Sequence, residues 1–240
     1  MVSFQNTKKY LRVTLILFKW VIIVFLVITI LSVLSLRWVS PPTTSFMLQH
    51  NLSAWLKDKK NFKIRYQWVD LNKISIHAPI AVVAAEDQKF PVHWGFDRES
   101  IEEAWVERAN GIRVRGASTI SQQVAKNLFL WPGRSFIRKG VEAYFTALIE
   151  LLWPKRRIIE IYLNIAEFGN GIFGITAAGK TFFKKPPTRL TRWECALLAA
   201  VLPNPKRFRA ARPSDYVLRR TEWIHKEMDR LDRAKHMSNL

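Results

Sequence analysis

Between Val13 and Leu36 the only charge is Lys19, and Trp20 to Leu36 (WVIIVFLVITILSVLSL) carries none. A helix of about 20 mainly apolar residues crosses a bilayer, so the run predicts a transmembrane anchor. Lys19 lies one turn inside the span and can snorkel its ammonium to the headgroups. A cleaved signal peptide fits poorly, because the run is long and no alanine for a cleavage site occurs before Ala54. A buried core helix would need apolar cover all round. Pro41-Pro42 ends the run, and Thr43 to Ser45 reads as a short linker. In 46–62, Met47, Leu48, Leu52, Trp55 and Leu56 fall near helical spacing. That suits a helix on the membrane surface, or equally an ordinary amphipathic surface helix.

From residue 63 the apolar period is mostly helical, in 78–86, 98–109, 117–127, 136–152, 156–165, 191–202 and 214–231. Strand-like alternation is confined to 64–69. Breakers fall between the runs, at Pro91, Gly95, Gly111, Gly116, Trp131-Pro132-Gly133, Pro154, Gly169 to Gly174 and Pro186-Pro187. The expected organisation is a cytoplasmic N-terminus (1–12), a transmembrane anchor (13–36), a linker and membrane-proximal segment (37–62), and one mainly α domain with a deep cleft (63–240).

Charge adds the orientation. The chain of 240 residues holds 38 Lys+Arg against 19 Asp+Glu, a net charge of +19. Lys8, Lys9, Arg12 and Lys19 stand at the front of the apolar run, and behind it only Arg37 appears before Lys57. The positive-inside bias therefore puts the N-terminus in the cytoplasm and residues 40–240 outside. With 49% hydrophobic residues and 10 Trp, wholesale disorder is excluded. The single cysteine, Cys195, excludes an internal disulfide and a multi-cysteine zinc site, and reads as a small core residue. So large a cationic excess suits nucleic acid, an anionic membrane face or a phosphorylated substrate.

Five segments carry candidate chemistry. In AAEDQKFPVHWGFD (84–97) an apolar helix ends in Glu86 and Asp87. A carboxylate there is partly desolvated, hence a stronger base, unless it merely caps the loop or pairs with Lys89. In RGASTISQQVAKNLFL (115–130), Ser118, Thr119 and Ser121 offer hydroxyls at a helix N-terminus, with Gln122, Gln123, Lys126 and Asn127 following. Such a start attracts phosphate, and S-T-I-S is equally a good N-cap. In 133–157, Arg134, Arg138 and Glu142 recur at helical spacing with Lys139 alongside. That is a cationic face or a solvated ion pair. Glu150 follows among apolar neighbours and needs a partner. In 158–185, glycines 169, 171 and 174 bracket a loop after Tyr162-Leu163-Asn164. The last, LTRWECALLAAVLPNP (190–205), looks like a buried helix capped at Thr191.

In this order and spacing the segments resemble the five motifs of the family 51 peptidoglycan glycosyltransferases, over roughly residues 45–232. E-D-x-x-F-x-x-H-x-G is met by Glu86, Asp87, Phe90, His93 and Gly95. G-x-S-T-I-x-Q-Q-x-x-K-N is met by Gly116, Ser118, Thr119, Ile120, Gln122, Gln123, Lys126 and Asn127. R-K-x-x-E is met by Arg138, Lys139 and Glu142; Asn164, Gly169, Gly174 and Glu194 fall in the last two motifs.

The resemblance implies a lysozyme-like, largely helical domain that polymerises lipid II onto a lipid-linked strand, with inversion and release of undecaprenyl pyrophosphate. It implies Glu86 as general base and Glu142 as a second essential acid, orienting cations or acting through a divalent metal, Mg or Mn. Lys126, Arg134, Arg138 and Lys139 would stabilise the pyrophosphate. Asp87, Phe90, His93, Ser118, Thr119, Gln122, Gln123, Asn127, Glu150 and Asn164 would serve substrate binding.

Likeness to the monofunctional Gram-negative members implies the inner membrane, a periplasmic catalytic domain and contacts with other cell-wall synthesis and division proteins. No S-x-x-K or K-T-G of a transpeptidase occurs. A membrane-anchored lytic glycosidase would also use a helical fold and a catalytic Glu, but it needs no cation cluster beside the cleft. A nucleic-acid binder would sit on the wrong side of the membrane and leave both acids idle, so no nucleic acid partner is expected.

Overall fold

The computed structural model describes residues 2–58, 62–109, 118–133 and 135–233. Arg134 and the 110–117 segment with Gly111 and Gly116 lie outside these. The chain forms two compact units, dividing after Val39.

The first unit is α1 (Val2–Leu36). Among the described residues it is the one helix long and apolar enough to cross a membrane, over Arg12–Leu36. Those 25 residues rise about 37 Å, more than the ~30 Å hydrocarbon thickness. Leu17, Phe18, Trp20 and Val21 are exposed around its circumference, which a core helix would not allow. The hydroxyls of Thr29 and Ser32 donate to the carbonyls of Phe25 and Ile28 at 2.8 and 2.7 Å, so these polar groups are satisfied within the helix.

The second unit begins at Ser40. Thr44 caps α2 (Ser45–Leu56) by accepting from Met47 N. Ser45 Oγ and Gln49 Nε2 both donate to Leu130 O, so α2 is fastened to this unit. The helices that follow are α3 (His77–Glu86), α4 (Arg98–Ala109), α5 (Ile120–Phe129), α6 (Phe136–Leu152), α7 (Lys155–Ile165), α8 (Ile175–Ala178), α9 (Arg192–Val201) and α10 (Asp215–Arg233). A π-turn, Gly179–Phe183, extends α8. The bounds of α3, α5, α6, α7, α9 and α10 follow the apolar periods, and each of these helices buries residues, whereas α4 buries none among the described residues.

The core is built on α9. Every residue from Cys195 to Val201 is buried, and each fully buried Leu or Val there contributes roughly 1.5–3 kcal/mol. Burial pushes the Cys195 thiol up to about 12, so it stays protonated as a core residue. The α9 start is a capping box: Thr191 accepts from Glu194 N and Glu194 accepts from Thr191 N. Helices α3 and α10 pack on α9, while α5 packs on α6 and α7. The two groups meet where α3 touches α7.

A small sheet was not legible beyond its first strand. It comprises β1 (Arg65–Tyr66), β2 (Glu167–Gly169) and β3 (Ile172–Phe173), ordered β1-β3-β2. Strand β3 pairs parallel with β1 and antiparallel with β2. Asn164 anchors it from α7. Its Oδ1 accepts from Val69 N at 2.9 Å, and its Nδ2 donates to the carbonyls of Val69 and Glu160 at 2.8 Å each.

Gly174 follows β3 with φ +80°, and a Cβ there would lie 2.4 Å from Asn164 O. Gly174→Ala is therefore expected to cost about 3 kcal/mol or more, from a glycine-only backbone region plus a backbone clash. Chemical denaturation measures the loss; a loss under 1 kcal/mol would show that the turn tolerates a side chain.

Candidate active site

Glu86 is the last residue of α3, at the seam between the two helix groups. Its side chain keeps 15% exposure. Oε2 accepts from Gln123 Nε2 on α5 at 3.0 Å, and Oε1 lies 3.7 Å from Arg220 Nη2 on α10. Tyr162 of α7 donates its hydroxyl to Gln123 Oε1 at 3.3 Å. Burial holds that phenol well above its usual range, so it remains a donor. The donated proton fixes the amide, turning the Gln123 NH₂ towards Glu86. Burial raises the Glu86 carboxyl above the ordinary range, against the lowering influence of Gln123, Arg220 and Lys126. The result is a desolvated base that still opens to the surface.

One helical turn along α5 stands Lys126. Burial lowers its ammonium from the usual lysine value, and Glu142 and Glu86 act to raise it again while Arg138 and Lys139 lower it. It pairs with no carboxylate among the described residues, and its Nζ lies 5.8 Å from the centre of the Phe46 ring. On α6, Glu142 is buried and accepts from Arg138 Nη1 at 2.9 Å and Lys139 Nζ at 2.5 Å. Among the described residues the buried Nε–H of Arg138 has no acceptor. The structure thus brings Glu86, Gln123, Lys126, Arg138, Lys139 and Glu142 into one electrostatic neighbourhood.

Both oxygens of Glu142 are occupied by cationic donors. A Mg or Mn ion there would face Arg138 and Lys139 with one carboxylate to hold it, so the metal role expected as an option for Glu142 does not fit these residues. Among the described residues no other acid or histidine cluster completes a metal set.

Several expected substrate contacts stand behind the cleft. Asp87 accepts from His93 Nε2 at 2.9 Å and from Ile120 N at 2.9 Å. His93 Nδ1 accepts from Gly95 N, which leaves the ring proton on Nε2. Glu150 is buried and accepts from Ser121 Oγ and Lys155 Nζ; Lys155 also donates to His93 O. Lys155 lies 4.5 Å over the ring of Phe90, which is fully buried. Thr119 and Gln122 form the capping box of α5, and Thr119 Oγ1 donates to Gly95 O. Gly95 has φ +78°, and a Cβ there would strike Thr146 and Glu150 at 2.8 and 2.9 Å.

Asp87, Phe90, His93, Thr119, Gln122 and Glu150 therefore bolt the 87–97 loop to α5 and α6. The polar members, like Asn164, make their side-chain hydrogen bonds within the protein, and Phe90 contributes a buried ring. Ser118 is exposed and Asn127 half-buried, both free of that framework.

Arg220 is the contributor the sequence did not reveal. It comes from α10, donates to Ala85 O at 3.3 Å, and holds a buried Nε–H without an acceptor among the described residues.

A sequence profile described as Transglycosylase matches residues 54–229. The biosynthetic peptidoglycan transglycosylase of Xanthomonas campestris pv. campestris is 53% identical over 216 residues, covering 89% of this chain and 88% of that one. Proteins of the same name from Pseudomonas fluorescens and Xylella fastidiosa are 48% and 46% identical, each over 90% of this chain and 90% and 89% of their own. With the family profile spanning the helices that build the Glu86 cleft, the chain belongs to the transglycosylase family.

Proposed function

We propose that this protein is a membrane-anchored peptidoglycan glycosyltransferase that polymerises lipid II. The observation that carries the reading is a desolvated carboxylate, Glu86, beside cations with unsatisfied donors. Glu86 removes the proton from the 4-hydroxyl of the acceptor sugar as that oxygen attacks the anomeric carbon of the donor strand. The C–O bond to undecaprenyl pyrophosphate breaks on the opposite face, so one displacement converts the α-linked donor into a β-1,4 bond. Charge grows on the leaving pyrophosphate, where Lys126 supplies a cationic donor and Arg138 adds positive charge nearby. Arg134 belongs to the same proposal on its motif position. Glu142 acts as a buried counter-ion that holds Arg138 and Lys139 in place. The transmembrane α1, with the N-terminus cytoplasmic, ties the cleft to the periplasmic face of the inner membrane, where both lipid substrates reside.

The purified full chain incubated with lipid II should yield polymer that lysozyme digests. Absence of polymer from folded protein would refute the reading. The pH dependence follows from the two shifts. Glu86 must be ionised and its pKa is raised, so kcat/KM should begin to fall on acidification above the ordinary carboxylate range. Lys126 must be charged and its pKa is lowered, so the alkaline limb should fall before ordinary lysine titrates. A profile flat across both regions would remove these groups from the mechanism.

A further inference from the structure

Strand β1 and the turn after α8 enclose a surface cavity of about 330 Å³ that the glycosyl-transfer reading does not use. Arg65, Lys180 and Lys184 line it with Tyr66, Gln67 and Thr181, and among the described residues no carboxylate does. Each cation is held by a neutral oxygen. Arg65 Nη1 donates to Thr181 Oγ1 at 3.3 Å, Lys180 Nζ to Gln67 Oε1 at 2.6 Å, and Lys184 Nζ to Thr181 O at 3.3 Å. Neutral acceptors orient the head groups without cancelling their charge. The next residue, Lys185, behaves differently and pairs with Glu194 at 2.7 Å. Lys184 also sits in the left-handed region, φ +57°, a place usually given to glycine, which brings a third cation to the rim at a backbone cost.

The position of the cavity in the chain indicates its occupant. Tyr66 donates its hydroxyl to Pro41 O at 2.6 Å. Pro41 comes shortly after the apolar run ends at Leu36, and even fully extended chain between them reaches only about 18 Å. Trp38, the residue type that favours the headgroup level, stands in that connection. Given the reading of α1 as an anchor, the strand that lines the cavity is hydrogen-bonded to the segment that follows the membrane span in the chain. We propose that Arg65, Lys180 and Lys184 form a binding site for the glycerophosphate headgroup of an anionic phospholipid. Phosphate oxygens match the Arg65 fork and the two ammonium donors, and juxtamembrane cations gain most from anionic lipid.

The test is native mass spectrometry of the full-length protein in detergent with equimolar phosphatidylglycerol and phosphatidylcholine. The wild type should retain phosphatidylglycerol preferentially, and added salt should reduce that preference. Arg65→Ala/Lys180→Ala should lower the preference about tenfold. Lys184→Gly should lower it several-fold without lowering Tm, because glycine relieves the left-handed backbone. Equal retention of both lipids by the wild type would overturn the site, as would an unchanged preference in all variants. Full displacement of the lipid by millimolar glycerol phosphate would overturn the lipid assignment in favour of a soluble phosphate.

Discussion

Glu86→Gln is expected to lower the rate of lipid II polymerisation by about 10²–10⁴-fold, the range of a lost general base. The substitution keeps shape and an acceptor oxygen towards Gln123 and Arg220 but removes the basic electron pair. Folding should survive it. The folded pKa of Glu86 lies above its unfolded value, so the folded protein favours the protonated form. Stability from this group is present at low pH and declines as pH rises from the ordinary carboxylate value through the raised one. Above the ordinary carboxylate range burial of this group is thus a cost to folding, and a neutral amide should leave Tm unchanged or slightly higher. Initial rates on lipid II and a thermal melt together decide the matter. Activity within tenfold of wild type would reassign Glu86 to a structural role, whereas a large fall in Tm would mean that its contacts, and not its basicity, were removed.

Why Glu86 was legible, and its surroundings less so, has a physical basis. An Ala/Val-rich run ending in an acid predicts desolvation from local pattern alone, since the run must be buried and the acid sits at its end. The same applies to Arg138 and Glu142, which share a face of α6 by their i, i+4 spacing. Arg220 is different. The pattern of α10 shows only that Val217, Thr221, Ile224 and Met228 face inward. Nothing local says that the residue beside Thr221 reaches the C-terminus of α3, more than a hundred positions earlier. The small sheet escaped for another reason: strands of two or three residues hold too few positions to display alternation.

Polar residues next to the base posed the opposite problem. Thr119 and Gln122 serve as a capping box, Asp87 and His93 as a loop clasp, and Glu150 as the acceptor for Ser121 and Lys155. Hydrogen-bonding residues gathered near a helix start look alike in sequence whether they face a ligand or the backbone. Only geometry separates the two uses. The clasp still serves the site indirectly, because Asp87 follows Glu86 and its bond to Ile120 N ties the end of α3 to the start of α5. Gln123 and Lys126 are thereby held at fixed distance from the base.

Lys126→Ala is expected to reduce kcat by about 10²–10³-fold, the scale of losing a preorganised donor to developing charge. Among the described residues its ammonium closes no ion pair, although Glu86 and Glu142 are both near enough to influence it. Burial disfavours its charge, so its removal should relieve a cost to folding, and Tm should hold. A lysine present for stability would behave the other way, lowering Tm with little change in turnover. Lys126→Arg supplies the decisive control. Guanidinium stays charged across the accessible range, so the alkaline limb of the rate profile should move to higher pH or vanish. Partial recovery of kcat with that displaced limb would identify the positive charge at this position as what the leaving group requires. An alkaline limb that stays in place would assign it to another residue and sever the link between Lys126 and the transition state.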